Sequence, residues 1–338
     1  MTTRTLLYLG GTANKCLFTS VQYCRLQLQI PQYRQIRNLR KLDISIKQPK
    51  SPFLNINSET GNIQPLKLWK HLAFAVTFSG VSMMGAAIWE YEYIRQETHK
   101  ILHYYKYLRI HRTGWRGEIE TWWNNLTEGQ RMFMPILFLN TIVFLAWRVP
   151  AWQKAMVRYF TADPSSRVSC WPMVLSMFSH LSIFHLAGNM YVLHSFSTIA
   201  VSSLGKEQFL AVYLSGGVIS SFVSYLYKTV TRTATMSLGA SGAIMGVLGY
   251  IFTEFPTIPL HIIFLPAITF TAGTAFKTLM AVEATGCLLR WKYFDHAAHL
   301  GGALFGVFWC YWGSQHIWEK RKSFLTLWHE LREPRKTQ

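Results

Sequence analysis

The sequence predicts an all-α, polytopic membrane protein with six core transmembrane helices and one extra transmembrane helix ahead of them. Three observations carry that expectation. Half of the 338 residues are hydrophobic and only 15% are charged. The charges lie between long uncharged runs rather than within them. Each run approaches ~20 residues, the length at which a helix crosses the hydrocarbon with its backbone polar groups satisfied. A net charge of +18 would in a soluble protein suggest nucleic acid, where clustered Lys and Arg displace counterions from phosphate. Here the excess gathers at the termini and loops of an apolar chain, so the expected partner is a lipid bilayer and no nucleic acid.

The elements follow in order. Within residues 1–69, Arg4, Lys15, Arg25, Arg34, Arg37, Arg40, Lys41, Lys47 and Lys50 stand against the single acid Asp43 in the first fifty positions. That stretch is rich in Arg, Gln, Thr and Ser and has no long apolar core, which is the composition of a mitochondrial transit peptide rather than a secretory signal. The remainder of 1–69 is expected to face the matrix. The extra helix is placed at 70–91 around an apolar run bounded by Lys70 and Glu90, and 92–131 reads as a mixed-charge connecting loop. The six-helix core, 132–318, is expected to hold spans at 132–147, from near Trp171, at 208–227, at 233–253, from after Gly273 to about Trp291, and at 296–312. The uncharged run 255–276 is excluded as a helix because Pro256, Pro259 and Pro266 remove backbone donors and clash with the preceding turn. Its "IPLHIIFLP" is expected to be extended or re-entrant. Residues 319–338 form a basic tail. The five cysteines show no CxxC spacing, so neither a disulfide framework nor a zinc site is expected.

Polar residues inside membrane spans cost free energy and should face the bundle interior. Those residues are His180, His185, Asn189, Ser241, Lys277, Glu283 and His299. His185 and Asn189 are four apart and share a helix face. Gly242 and Gly246 on one helix, and Gly302 and Gly306 on another, have the small-xxx-small spacing that lets two backbones approach closely. Ser241 adjoins Gly242, and His299 precedes Gly302 by three positions. If the two faces meet, a hydroxyl comes within hydrogen-bond reach of an imidazole, the pairing that activates a serine nucleophile. Each feature alone has an ordinary explanation: a membrane serine usually bonds its own helix backbone, a lone interior histidine is usually packed, and glycine faces are usually packing surfaces. Their conjunction on helices able to converge favours catalysis. No metal or cofactor is expected, since no carboxylate or cysteine joins the histidines at a usual ligand spacing. A transporter using His180, His185 and Glu283 as a proton path is the rival from another class. A soluble α/β-hydrolase is excluded because no strand precedes Ser241 and a nucleophile elbow needs GxSxG.

Together "GASG", "AHLGGALFG" and "HLSIFHLAGN" resemble the rhomboid intramembrane serine proteases, and the leading span, "WRVP", "YLSGGVIS", "ITFTAG" and "DHAAHLGG" resemble their mitochondrial presenilin-associated rhomboid-like subgroup, over residues 70 to 330. The resemblance implies Ser241 as nucleophile and His299 as general base, a dyad without a carboxylate. It implies an oxyanion hole of His185, Asn189 and the Ser241 N–H, supported by His180, with Gly239 and Gly242 framing the serine and Gly302 and Gly306 giving the close helix contact. It also implies residence in the mitochondrial inner membrane, single-span membrane proteins as substrates, and a part in mitochondrial quality control and fusion. A catalytically inactive relative that binds and escorts transmembrane helices is the alternative within the same family. Three positions depart from the wider family pattern: Met245 replaces an aromatic residue that stacks on the histidine, Val201 an acid, and Pro172 the arginine of a Trp-Arg pair after Trp171. Asp295, four residues before His299, reads as a helix-start residue and not as a third catalytic member.

Charge bias sets an expected orientation. With the presequence side as matrix, the loops on that side hold Arg148, Lys154, Arg158 and Arg167, then Lys228 and Arg232, then Arg290 and Lys292, against Asp163 and Asp295. Two opposite loops hold Lys206 with Glu207, and Glu254 alone. The catalytic residues are therefore expected in the matrix-side part of the bilayer, and the C-terminus in the intermembrane space.

Overall fold

The computed structural model describes residues 68–102, 114–164, 170–233, 235–262 and 265–333. The transit-peptide reading, together with Arg167 and Thr337, lies outside them.

Helix α1, Leu68–Leu102, has 35 residues and is about 52 Å long at 1.5 Å per residue. It therefore outruns the expected boundary at 91. Hydropathy ends near Trp89, but nothing after it breaks a helix, and the pairs Glu92–Arg95 at 3.6 Å and Glu97–Lys100 at 2.7 Å lie at i,i+3 on its surface. Within the connecting segment a further helix, α2 (Trp115–Asn125), precedes α3 (Glu128–Ala146). A capping box starts α3 four residues before the apolar run: the Gln130 N–H donates to Thr127 Oγ1 and the Thr127 N–H to Gln130 Oε1.

Two short helices, α4 (Gln153–Phe160) and α5 (Pro172–Leu175), cross the next connection. The span expected from Trp171 begins as a regular helix only at α6, Ile183–Leu204. Gly129 of α3 meets the α6 backbone at Thr198 so closely that any Cβ there would overlap it. Gly205, at φ 80°, ends α6 and turns the chain directly into α7, Lys206–Thr231. Such a φ suits glycine, which lacks the Cβ that would clash.

The core is organised around α7. Helix α1 runs antiparallel along one side of it, with His71 edge-on to Tyr225 near one end and the Lys206 ammonium 3.3 Å over the Tyr93 ring near the other. On the opposite side lie α8 (Ser241–Glu254) and α10 (His296–Phe308), and α10 continues as a π-helix through Trp318. Between them stand a two-stranded antiparallel hairpin, β1 (Pro259–Ile262) with β2 (Leu265–Thr271), and α9 (Ala272–Leu288). The hairpin corrects the all-α expectation: the proline-punctuated run satisfies its backbone groups by pairing with itself.

The span expected at 233–253 also starts late. Backbone groups of its first residues are taken by distant partners: Ala162 and Ser237 exchange bonds of 2.8 and 3.0 Å, and the Gly239 N–H reaches the Ser176 carbonyl at 2.9 Å. Helix α8 is left with 14 residues, about 21 Å, short of the ~30 Å hydrocarbon thickness. By length and composition, α1, α3 and α7 are each sufficient to cross a membrane.

The basic tail folds into α11, Lys322–Arg332, which clasps the distal half of α1. Arg321, just ahead of it, grips Glu90 with two bonds of 2.8 and 2.9 Å, Arg332 meets Glu92 at 2.9 Å, and Tyr91 bonds His329 at 2.6 Å. The end of α1 bearing Leu68 and the end of the last core helix therefore lie on opposite sides of the bundle.

Candidate active site

Ser241 is the first residue of α8, and Gly239 before it has φ 130°, a conformation that L side chains rarely adopt. The turn that this glycine permits leaves the serine side chain at the wall of a cavity of about 480 Å³, lined also by His185, Lys228, Trp291, Phe294 and His299. His299 sits one turn into α10. Its Nε2 is 2.8 Å from Ser241 Oγ, the distance of a formed hydrogen bond.

The approach of α10 to α8 follows from the glycines. A methyl group at Gly302 would overlap the Gly242 carbonyl oxygen, and one at Gly306 would overlap the Gly246 carbonyl oxygen. A Cβ on Gly246 would lie 3.3 Å from the Gly216 Cα, and one on Gly242 would strike Ser220. The backbones of α7, α8 and α10 therefore approach one another closely at this level, with only the small Ser220 side chain and the edge of Phe305 against the glycines.

Behind His299 stands a carboxylate that the dyad expectation omitted. Glu283 of α9 is buried, and its Oε1 is 2.9 Å from His299 Nδ1. Its other oxygen, Oε2, is 2.6 Å from Nδ1 of His296. With Nδ1 donating to the carboxylate, His299 Nε2 is left as an acceptor for the serine hydroxyl, which is the tautomer a general base requires. Glu283 thus holds the His299 ring at Nδ1, while the position of the wider pattern's aromatic residue is taken by the buried Met245. Lys277, expected to face inward on the same helix, is exposed. The helical period places residues 277 and 283 on different faces, and only Glu283 points at the cluster.

On the other side of the serine, His180 is fully buried and its Nε2 accepts from the Ala240 N–H at 3.4 Å and from Asn189 Nδ2 at 3.0 Å. The second Asn189 hydrogen goes to the His185 carbonyl at 3.1 Å. His185 stacks edge-on against His180, centroids 4.8 Å apart, and a Cβ on Gly239 would lie 2.8 Å from its Cε1. His185 faces the cavity. Asn189 lies behind it with both amide hydrogens engaged, so in this arrangement the amide offers no donor to a ligand in the cavity.

Asp295 is the N-cap of α10, accepting from the Ala298 N–H at 3.0 Å, as a helix-start residue should. It also accepts from Ser224 and forms a 2.8 Å ion pair with Lys228, whose ammonium donates at the same time to Ser237 Oγ at 2.8 Å. Lys228 is therefore not a free loop charge, as the orientation count took it to be. It is buried in the last turn of α7 and joins the loop that leads into Ser241 to the helix that carries His299. Its position at the end of an apolar run looked like a flank, and only tertiary contacts distinguish the two. Among the described residues no cluster of His, Cys, Asp and Glu could hold a metal ion, and Cys170, Cys287 and Cys310 are free thiols.

A rhomboid domain model matches residues 167–316. The chain is 51% identical over 271 residues to the mitochondrial presenilin-associated rhomboid-like protein of Bos taurus, an alignment covering 78% of this chain and 72% of that protein. It is 33% identical over 198 residues to the mitochondrial Rhomboid protein 1 of Saccharomyces cerevisiae, covering 58% of this chain and 57% of the other. To the rhomboid protease GluP of Bacillus subtilis it is 29% identical over 138 residues, covering 41% and 25%.

Proposed function

The chain belongs to the rhomboid family, in its mitochondrial presenilin-associated rhomboid-like subgroup, and from that premise we propose that it is an intramembrane serine endopeptidase of the mitochondrial inner membrane. Its substrates are single-span membrane proteins cut within or beside their transmembrane segment, and its proteolysis serves mitochondrial quality control and fusion. The observation that carries the reading is the 2.8 Å contact between Ser241 Oγ and His299 Nε2 at the wall of a cavity.

The chemistry follows from the geometry. His299 Nε2 accepts the hydroxyl proton as Ser241 Oγ attacks the scissile carbonyl carbon, and Glu283 stabilises the imidazolium through Nδ1. The oxyanion forms against the Ser241 N–H, at the positive end of α8, and the His185 ring. The C–N bond then breaks, His299 returns the proton to the departing amine, and water activated by the same imidazole hydrolyses the acyl-serine. Asn189 and His180 hold His185 and Ala240 in place for this step. The brevity of α8 supports a reaction below the membrane surface, with the cavity as the path for water.

Glu283→Gln keeps an acceptor near His299 but removes the charge that favours its cation. Cleavage of a single-span reporter in lipid vesicles is expected to fall by ~10²–10⁴-fold, chiefly in kcat, with the cut position unchanged. Parental rates in that variant would remove Glu283 from the mechanism, and a parent that never cuts within the reporter's apolar segment would remove the protease reading altogether. An inactive escort for transmembrane helices has no use for an aligned serine, imidazole and carboxylate. A proton path through Glu283 is disfavoured by both its oxygens being held by histidines.

We also propose that the cavity opens toward the matrix. Arg148, Arg232, Arg290 and Lys292 still lie in connections on the cavity side without the buried Lys228, which agrees with the charge rule. In a cysteine-depleted variant, a cysteine introduced by Thr235→Cys is expected to react with membrane-impermeant maleimide only from the matrix, and one introduced by Thr337→Cys once the outer membrane alone is ruptured. Labelling of the first from the intermembrane space would reverse the orientation.

A further inference from the structure

One buried titratable side chain of the cluster has no part in the steps above. His296 begins α10 and is 6% exposed, yet it contributes to the cavity lining beside Ser241 and His299. Its ring is fixed on three sides. It lies flat on Gly286 of α9, where a methyl group would come within 2.5 Å of Cγ and Cδ2, and it meets Trp291 edge-on at 5.6 Å and Phe294 at 6.1 Å. Nδ1 bonds Glu283 Oε2 at 2.6 Å, while Nε2 is buried without a partner among the described residues. A buried imidazole nitrogen left unpaired is costly, and Glu283 is the one strong partner the ring has.

We propose that His296 is a positioning residue that divides the Glu283 carboxylate with His299 and thereby sets how much of its negative charge faces the catalytic imidazole. The inference rests on the serine-protease reading of the same site. Each histidine takes one oxygen, so the carboxylate plane is fixed by two Nδ1 contacts 13 and 16 residues away in sequence. A donor on Oε2 draws negative charge away from Oε1. Without it, the full charge faces His299 and stabilises the imidazolium formed during the reaction. The other ionisable groups around the cluster are accounted for. On α7, Lys228 is paired with Asp295 at the head of α10, and Tyr227 donates to the Cys287 carbonyl. On α9, Cys287 is one turn beyond Glu283, while α6 presents His185 across the cavity. Arg290, Lys292 and Tyr293 rim the cavity in the loop between α9 and α10. The direct bonds to His299 nitrogens come from Glu283 and Ser241.

The test compares the pH dependence of kcat/KM for reporter cleavage by the full chain in vesicles with that of three variants. His296→Phe keeps a ring on Gly286 but removes the donor, and its acid limb is expected to move up by about one pH unit with KM unchanged. His296→Asn, which can return an N–H to Glu283, is expected to stay close to the parent. Gly286→Ala leaves all three polar residues in the chain but pushes the His296 ring off the carboxylate, and it is expected to shift as His296→Phe does. This variant decides the matter if the phenylalanine variant does not fold. An acid limb unmoved in every folded variant, or moved to lower pH, overturns the inference. In each preparation Ser241 is titrated with a fluorophosphonate: a parent that is not labelled there fails the protease reading itself, whereas labelling with an unmoved limb fails only the role of His296.

Discussion

Alanine in place of Ser241 or His299 is expected to lower cleavage of a membrane-embedded reporter by at least ~10⁴-fold while the protein keeps its fold. The serine hydroxyl contacts His299 and faces the cavity, so its removal breaks no packing contact and no backbone bond. Removal of the imidazole leaves Glu283 Oε1 short of one donor, a cost of about 1–3 kcal/mol, but Oε2 retains His296. Thermal unfolding in detergent should therefore show Ser241→Ala melting with the parent and His299→Ala slightly below it, both with cooperative transitions. The double variant should be no less active than the worse single variant, because the two groups act as a unit. A Ser241→Ala protein that still cuts at a substantial fraction of the parental rate would show that the hydroxyl is not the nucleophile.

The second large effect is expected far from any polar group. Gly302→Val places a branched side chain where the Gly242 carbonyl oxygen already stands, with the Gly242 carbonyl carbon 3.0 Å and the Gly246 nitrogen 3.4 Å from its Cβ. These are backbone atoms of a fully packed helix and cannot rotate away, so α10 must move from α8 by about 1 Å or more. His299 is three residues earlier on α10 and moves with it. A displacement of that size costs ~10²-fold in a reaction that depends on alignment, and overpacking adds a loss of stability of about 1–3 kcal/mol. Gly188→Val on α6 is the control, since nothing lies within 4 Å of a Cβ there. Parental rates from Gly302→Val alongside parental rates from Gly188→Val would mean that the glycine seam does not position His299 for the reaction.

That seam was readable from the sequence because glycines four apart report a helix face directly, and the convergence of Ser241 with His299 followed from it. What could not be read depends on partners distant in the chain. Residues 233–240 are as apolar as a helix start, and only their bonds to Ala162 and Ser176 delay α8 until Ser241 and so place that serine at a helix N-terminus. Glu283 stood out as an acid in an apolar run, but period alone does not say whether such a residue meets a histidine or lines a path, and Lys277 on the same helix turned outward. Hydropathy placed the end of α1 at the end of its apolar stretch. The helix continues because its charged half is held by α11, and no local rule links Glu90 to Arg321 across 231 positions. The prolines of 255–276 correctly argued against a helix, but the hairpin that replaces it requires a pairing register between Pro259 and Thr271 that the prolines do not specify.

The most direct measurement is covalent labelling of the purified full chain by a fluorophosphonate, with the modified peptide located by mass spectrometry. One adduct is expected, on the hydroxyl of Ser241, formed at a rate that falls sharply in His299→Ala and partly in Glu283→Gln, and absent in Ser241→Ala. A folded protein that takes no label at Ser241, or takes it on another residue with Ser241→Ala equally reactive, would contradict the account.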